Sequence, residues 1–325
     1  MEAARARFGA PDDALGAVWT RTGRSFFGPE LTAELVDRLR SAAERAGLFD
    51  ELDTGWLLLD AELLPWSAKA GDLLRSQYAA VGAAAAAALP VAVSALARAQ
   101  ARGVEVGELL GWTESRAVNA ELFRAAYLRY CWPTDGLAGV RFAPFQLLAT
   151  EGRAYHDRSH SWHLDLADRL AAVDSELVAS TRRLVVDLTS EREIQAGVDW
   201  WTELTSVDGD GPGGEGMVVK PLSNLVRTKS GVLQPGLKVR GREYLRIIYG
   251  PDYTEPANLT RLRDRKLGHK RSMAATRIGE TPSEHIAQTP GLLRTVGGDR
   301  DGRSFGYLRR RAGSGARDQG VEVVG

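Results

Sequence analysis

The sequence predicts an α+β protein with a mixed or antiparallel sheet core and a helical insert, on three observations. Apolar runs of strand length stand at residues 56–64, 141–149 and 184–188. An alanine-rich stretch, residues 69–132, separates the first two and has helical character throughout. Two further short apolar segments, Glu215–Lys220 and Leu237–Gly241, carry charges that a strand does not need for its own sake.

With 325 residues the chain can bury a full core, in one large domain or two. Apolar content of 44% and charged content of 26% are ordinary for a globular protein. A formal net charge of zero removes any global pull on nucleic acid and leaves room only for a local basic groove. Only Lys69, Lys220, Lys229, Lys238, Lys266 and Lys270 are lysines among 42 cationic residues, so each merits inspection. The single cysteine, Cys131, excludes an internal disulfide and a cysteine-based zinc site. Met1–Arg5 does not read as a secretory signal. Ala79–Ala97 is uncharged and long enough to raise a membrane span. It is mostly alanine, which contributes little to insertion, and Gly82, Pro90 and Ser94 interrupt it. A packed helical hairpin, no membrane and a cytoplasmic location are expected.

Along the chain, residues 15–27 read as a strand, a turn and a strand end. Residues 29–47 read as an amphipathic helix, with Leu31, Leu35 and Leu39 on one face and Gly47 as C-cap. In the run 56–64 only Asp60 and Glu62 break the apolar pattern, and period-2 spacing places both on one face. The helical stretch is expected to break at Pro90 and Gly103. After the strands at 141–149 and 184–188 come a helix over 191–204 and a glycine-rich loop at Asp208–Gly214. Two charged strands follow, Lys238 and Arg240 sharing a face of the second. His156, His160 and His163 have helical spacing that could present metal ligands, and a structural or surface role rather than a zinc site is the expectation for them.

Transfer of an AMP group needs cations against the phosphate, a divalent metal held by one or two carboxylates, and an aromatic face for the purine. Asp60 and Glu62, Phe142 or Phe145, Glu215 with Lys220, and Lys238 with Arg240 supply these on four strands. Five segments in this order, Trp19–Phe27, Leu58–Ala70, Ala143–Gly152, Glu215–Pro221 and Gln234–Tyr253, resemble the ligase (adenylyltransferase) domain of bacterial polynucleotide kinase-phosphatases, which heal and seal RNA ends. The similarity spans about residues 12–273.

The resemblance implies a covalent nucleotidyltransferase (ATP-grasp-like RNA/DNA ligase) core with a helical insert and a partial C-terminal helical module. It divides the chain into 1–68 (first part of the core), 69–135 (insert), 136–250 (second part of the core), 251–273 (start of the C-terminal module) and 274–325 (a tail of low order). It implies ATP, Mg2+ or Mn2+, an RNA 5′-phosphate acceptor, and an RNA 3′-terminal ribose methyltransferase as partner. Glu62 and Glu215 would bind metal or ribose, and Phe145 would stack on adenine. Lys220, Lys238 and Arg240 would hold the α-phosphate, and Arg24 would sit at the nucleotide edge.

The family's nucleophile is a lysine in a Lys-x-x-Gly motif ahead of the segment that matches Trp19–Phe27. The first lysine here is Lys69. Lys238–Gly241 imitates the motif but falls where the phosphate-binding strand belongs. A ligase fragment truncated at its N-terminus and inactive by itself is therefore expected. The alternatives are a non-enzymatic remnant, or one half of a split enzyme completed by another chain. A missing central strand would expose sheet edges and lower solubility. After about residue 274 the composition turns to Gly, Arg, Thr and Ser, which suggests an out-of-frame tail; resequencing across codon 274 tests that.

Overall fold

The structure, a computed structural model, describes residues 15–20, 23–207, 212–225, 227–228, 231–232, 236–264 and 320–324. Its first residues make a turn with one isolated bridge, Trp19 to Ser25, in place of paired strands. Helix α1 (Pro29–Arg45) starts with proline in its first turn, where a missing N–H is harmless, and buries Leu35, Ala42 and Ala43. Gly47 takes φ +68, which favours glycine, and leads into the short α2 (Leu48–Glu51). Strand β1 (Leu58–Leu64) turns Leu59, Ala61 and Leu63 to the main core, so Asp60 and Glu62 share the other face.

Helix α3 (Ser67–Leu73), kinked at Ala70 (φ −98, ψ 20), a π-helical turn (Leu74–Ala79) and α4 (Ala80–Ala101) follow one another directly. The interruption expected at Pro90 does not occur. Proline removes one N–H donor, and the alanines on both sides carry the helix across the gap. The break comes at Gly103, φ +84, before α5 (Gly107–Leu128), which packs against α4 as a helical hairpin. Ser67–Ala101 is long and apolar enough to cross a membrane by length and composition, and it is mostly exposed in this fold.

Strand β2 (Arg141–Thr150) pairs antiparallel with β1 and with the short β3 (Arg153–Ala154). Helix α6 (His160–Val173), capped by Ser159 Oγ accepting the Trp162 N–H, packs on β2. Leu35, Leu48, Phe142, Leu147 and Leu170 form the centre of this core. Arg38 on α1 donates to both Asp174 oxygens at 2.6 and 2.7 Å, just beyond α6, and its guanidinium holds that carboxyl below its ordinary range.

The second half contains β4 (Arg183–Asp187), α7 (Glu191–Thr205), β5 (Gly216–Pro221), a small pair β6 (Arg227–Thr228) and β7 (Gly231–Val232), and β8 (Leu237–Arg240). Then come α8 (Arg242–Tyr249), a 3-10 turn (Pro251–Thr254) and α9 (Pro256–Arg263). Strand β9 (Gly320–Val324) completes a four-stranded sheet in the order β4-β9-β5-β8. Every strand ladder among the described residues is antiparallel. Helix α7 covers one face of this sheet, where Val186, Leu204 and Met217 are buried together.

Of the 274–325 segment, expected to be of low order, only Gly320–Val324 is described, as a strand; residues 265–319 and 325 lie outside the described residues, as does part of the Asp208–Gly214 loop. The short alternation Val321-Glu322-Val323 is enough for a strand once neighbours exist on both sides.

A buried polar clasp ties α8 and the 3-10 turn to α5. Arg246, 2% exposed, donates to Glu243 Oε2 (2.5 Å), Asn119 Oδ1 (3.1 Å), the Pro251 carbonyl (2.7 Å) and Thr254 Oγ1 (3.3 Å). Asn119 in turn donates to Glu255 at 2.9 Å, and Ser115 Oγ to the same carboxylate at 2.7 Å.

Candidate functional site

Register decides which side chains meet on the second sheet. Val218 stands opposite Lys238, and Gly216 opposite Arg240. Met217 and Val219 turn toward α7, so Val218, Lys220, Lys238 and Arg240 occupy the other face. Gly216 has φ +124, and a Cβ there would collide with the Val239 carbonyl. Only glycine lets β5 and β8 approach this closely beside Glu215. Glu322 of β9 is the register partner of both Val185 and Lys220.

Phe145 arrives from the first sheet through an irregularity in β2. Asp60 pairs with Gln146 and Ala61 with Pro144, which leaves Phe145 without a counterpart in β1. Leu58 pairs with Ala149 and Leu59 with Leu147, which leaves out Leu148 as well. Bulges of this kind re-aim a side chain and tolerate a nearby proline. Lys220 Nζ lies 5.6 Å from the Phe145 ring centroid, a cation–π contact. The His160 N–H donates to the Leu222 carbonyl at 3.3 Å, so the start of α6 abuts the end of β5 just beyond Lys220.

Arg240 forms an ion pair with Glu215 and covers the Tyr244 ring at 4.5 Å. Tyr244 meets Tyr130 edge-on at 5.4 Å, and the Tyr130 hydroxyl donates to the Gly213 carbonyl at 3.3 Å. Burial pushes the Tyr244 hydroxyl upward in pKa, Arg240 opposes this, and the Glu62 carboxylate adds to the rise. Glu62 is therefore within electrostatic reach of the Arg240–Tyr244 pair. Burial also raises Tyr130.

Three of the side chains singled out in the sequence thus lie on one sheet face, Lys220, Lys238 and Arg240, with Phe145 against Lys220. Lys238 is exposed. Glu215 and Arg240, expected to serve a metal and a phosphate separately, neutralise each other here. Arg24 is exposed on the turn whose ends are joined by Thr20, and among the described residues the contacts linking the other candidates do not include it. Lys69 fastens that turn to α3, its Nζ donating to the Ser25 and Phe26 carbonyls at 2.8 and 2.6 Å.

Sequence reasoning missed Tyr130, Tyr244 and the placement of His163. Tyr244 could have been found, because it lies four residues past Arg240 in the same charged segment, in the first turn of the helix that follows β8. His160 and His163 are buried, and no group of three His, Cys, Asp or Glu among the described residues is arranged to hold a metal.

The family model for the PNKP adenylyltransferase domain, ligase domain, matches residues 1–290. A chain of the solved structure of a Pnkp1/Rnl/Hen1 complex is similar over 81% of this chain and 74% of its own, at 17% identity and a TM-score of 0.49. No curated protein matches.

Proposed function

The chain belongs to the PNKP adenylyltransferase (ligase) domain family, and on that premise we propose that the β5–β8 face and the Phe145 bulge together bind ATP. The contact of Lys220 with the Phe145 ring at 5.6 Å carries this reading. It joins the two chemistries that a nucleotide needs, an aromatic surface for the base and a cation for the phosphates. In this reading Phe145 stacks on adenine. Lys220, Lys238 and Arg240 hold the α-phosphate, and Arg24 closes the edge of the nucleotide.

Glu62 and Glu215 are the carboxylates that would hold Mg2+ or Mn2+. Two carboxylates without a third ligand group suit an ion that completes its shell with water and phosphate oxygens. Such an ion, when bound, supplies charge neutralisation on the phosphates. Because Arg240 pairs with Glu215 in this structure, binding a metal and a phosphate would draw the pair apart, each member gaining a new partner of opposite charge.

The core is then a covalent nucleotidyltransferase core in two parts, 1–68 and 136–250. Residues 69–135 are its insert and 251–273 the start of a C-terminal helical module. The reaction class is adenylyl transfer to an RNA 5′-phosphate, with sealing by a 3′-hydroxyl. The partners in this reading are RNA ends and an RNA 3′-terminal ribose methyltransferase, in the cytoplasm, without a membrane. No lysine precedes Lys69 in this sequence, and Lys238 lies on β8 as a phosphate ligand. In this reading residues 1–325 by themselves bind ATP without forming a lysine–AMP bond.

Calorimetry with ATP and Mg2+ tests the binding, and incubation with α-labelled ATP tests the covalent step. Saturable binding that Phe145→Ala and Lys220→Ala both weaken, with no label on the protein, is the expected result. A folded protein that does not bind ATP sinks the reading; label attached to Lys238 overturns its second half.

A further inference from the structure

His163 lies in the core of the first half of the molecule, 1% exposed, and no element of the proposed reaction uses it. Its position is nonetheless specific. The Leu147 N–H donates to His163 Nδ1 at 3.3 Å. Leu147 is itself 1% exposed and stands between the two residues of β2 that lack a counterpart in β1, Phe145 and Leu148. A buried N–H left without an acceptor costs about 1–3 kcal/mol; Nδ1 meets that need for Leu147, while Nε2 of the same ring is buried with no hydrogen-bond partner among the described residues, so the ring stands here for its Nδ1 contact. The second irregular residue is secured separately, because the Tyr155 N–H donates to the Leu148 carbonyl at 3.1 Å. Trp162 packs edge-on against the His163 ring at 5.1 Å and stacks on Tyr155 at 5.2 Å, which fixes the imidazole from the side.

We infer that His163 is a positioning residue for the nucleotide site, locking through the Leu147 N–H the bulged segment of β2 that presents Phe145 to Lys220. The inference rests on the reading that Phe145 and Lys220 receive ATP. An acceptor at Nδ1 requires a neutral ring with its proton on Nε2. Burial, with His160 and Lys220 adding to it, pushes the His163 pKa down to about 4, so the ring is neutral and Nδ1 can accept at any pH where the protein would work. Without the acceptor, β2 would relax toward regular pairing with β1, and a shift of one residue turns a side chain to the opposite face. Phe145 would then leave Lys220.

The test uses the full chain, as wild type and as His163→Leu, His163→Asn and Leu164→Ala. Leucine fills the space without an acceptor, whereas the asparagine Oδ1 can stand where Nδ1 stood. Leu164 is fully buried on the same helix and does not touch the Leu147 N–H, so its truncation controls for general destabilisation. Hydrogen exchange of residues 144–148 and affinity for ATP with Mg2+ are both measured.

The expected result is faster exchange in 144–148 and ATP affinity lower by about tenfold or more in His163→Leu. Both should be restored in His163→Asn, and Leu164→Ala should leave the affinity of its folded fraction unchanged. Unchanged exchange in His163→Leu, or wild-type ATP affinity in it, overturns the positioning role. An equal loss of affinity in Leu164→Ala overturns it too. A wild-type protein that binds no ATP overturns the nucleotide reading itself, a failure distinguishable from the others because it appears before any substitution is made.

Discussion

Arg240 and Arg246 stand six positions apart on either side of the β8–α8 junction, and the protein treats them oppositely. Arg246 is 2% exposed, and its guanidinium is met by a carboxylate, a side-chain amide, a carbonyl and a hydroxyl of the protein itself. Arg240 has one carboxylate, Glu215, and the face of Tyr244, and it shares its sheet face with Lys220 and the exposed Lys238. The first arginine has fixed partners in a place that water does not reach, so its charge serves cohesion. The second belongs to a cationic group lined up along one open sheet face, where an anionic ligand can complete the balance. Equal residue types thus separate by what surrounds them, one enclosed by protein partners and the other set on a cationic sheet face.

Substitutions that exchange these roles would break the comparison. Arg246→Met leaves Asn119 Oδ1 and the Pro251 carbonyl without their donor and Glu243 with Arg242 alone at 3.9 Å, and should destabilise the fold by about 1–3 kcal/mol in urea unfolding. The affinity of the remaining folded molecules for ATP should hardly change. A loss smaller than about 1 kcal/mol would mean that the clasp is not cohesive after all. Lys220→Ala should do the reverse. Its cation–π contact contributes about 0.5–1 kcal/mol to stability, whereas a charged hydrogen bond to phosphate contributes about 1.5–3 kcal/mol, so ATP affinity should fall about tenfold or more.

Lys238→Ala should give a smaller loss of ATP affinity, below about 1 kcal/mol, because its charge is exposed, and the loss should shrink as salt is added. No loss even at low salt would take Lys238 out of the phosphate site. The finest test is acid. Ser115 and Asn119 hold the Glu255 carboxyl below its ordinary 4.5. A depressed carboxyl contributes stability that is complete above its unfolded value and is lost as pH falls through the lower folded value. Ser115→Ala should therefore reduce stability slightly near neutral pH, and the difference from wild type should vanish in acid below 4.5. A difference that persists unchanged in acid would show that the hydroxyl acts through packing rather than through the carboxylate.

Much of this arrangement could be read from local pattern. Apolar runs of strand length marked β1, β2, β4, β5 and β8, and period-2 spacing put Asp60 with Glu62 and Lys238 with Arg240, as the register has them. Helix α1 followed from Leu31, Leu35 and Leu39. What escaped depends on partners distant in sequence. Nothing in Pro144-Phe145-Gln146 announces a bulge, since the bulge exists only against β1. Pro90 looked like a terminator because propensity counts the lost donor and not the stiffness of the alanines around it. Arg246 was one arginine among many, although Glu243 three residues earlier and isoleucines following it on an amphipathic helix were a visible hint of burial. The pairing of β9 could not be foreseen, because five residues with two distant neighbours carry almost no local signal.

That strand has a consequence in time. β9 is hydrogen-bonded on both sides, to β4 and to β5, and joins them into one sheet. During synthesis β5 emerges about a hundred residues before β9, a wait of about 5–20 s at ribosomal speeds of about 5–20 residues per second. Throughout that interval two facing strand edges stand open, each able to take up an extended segment of any nascent neighbour. Closure between such remote segments is intrinsically slow. The β5–β8 pair can form early, whereas the joining of β4 to β5 waits for β9, and a crowded polysome is the setting in which that closure is most exposed to error.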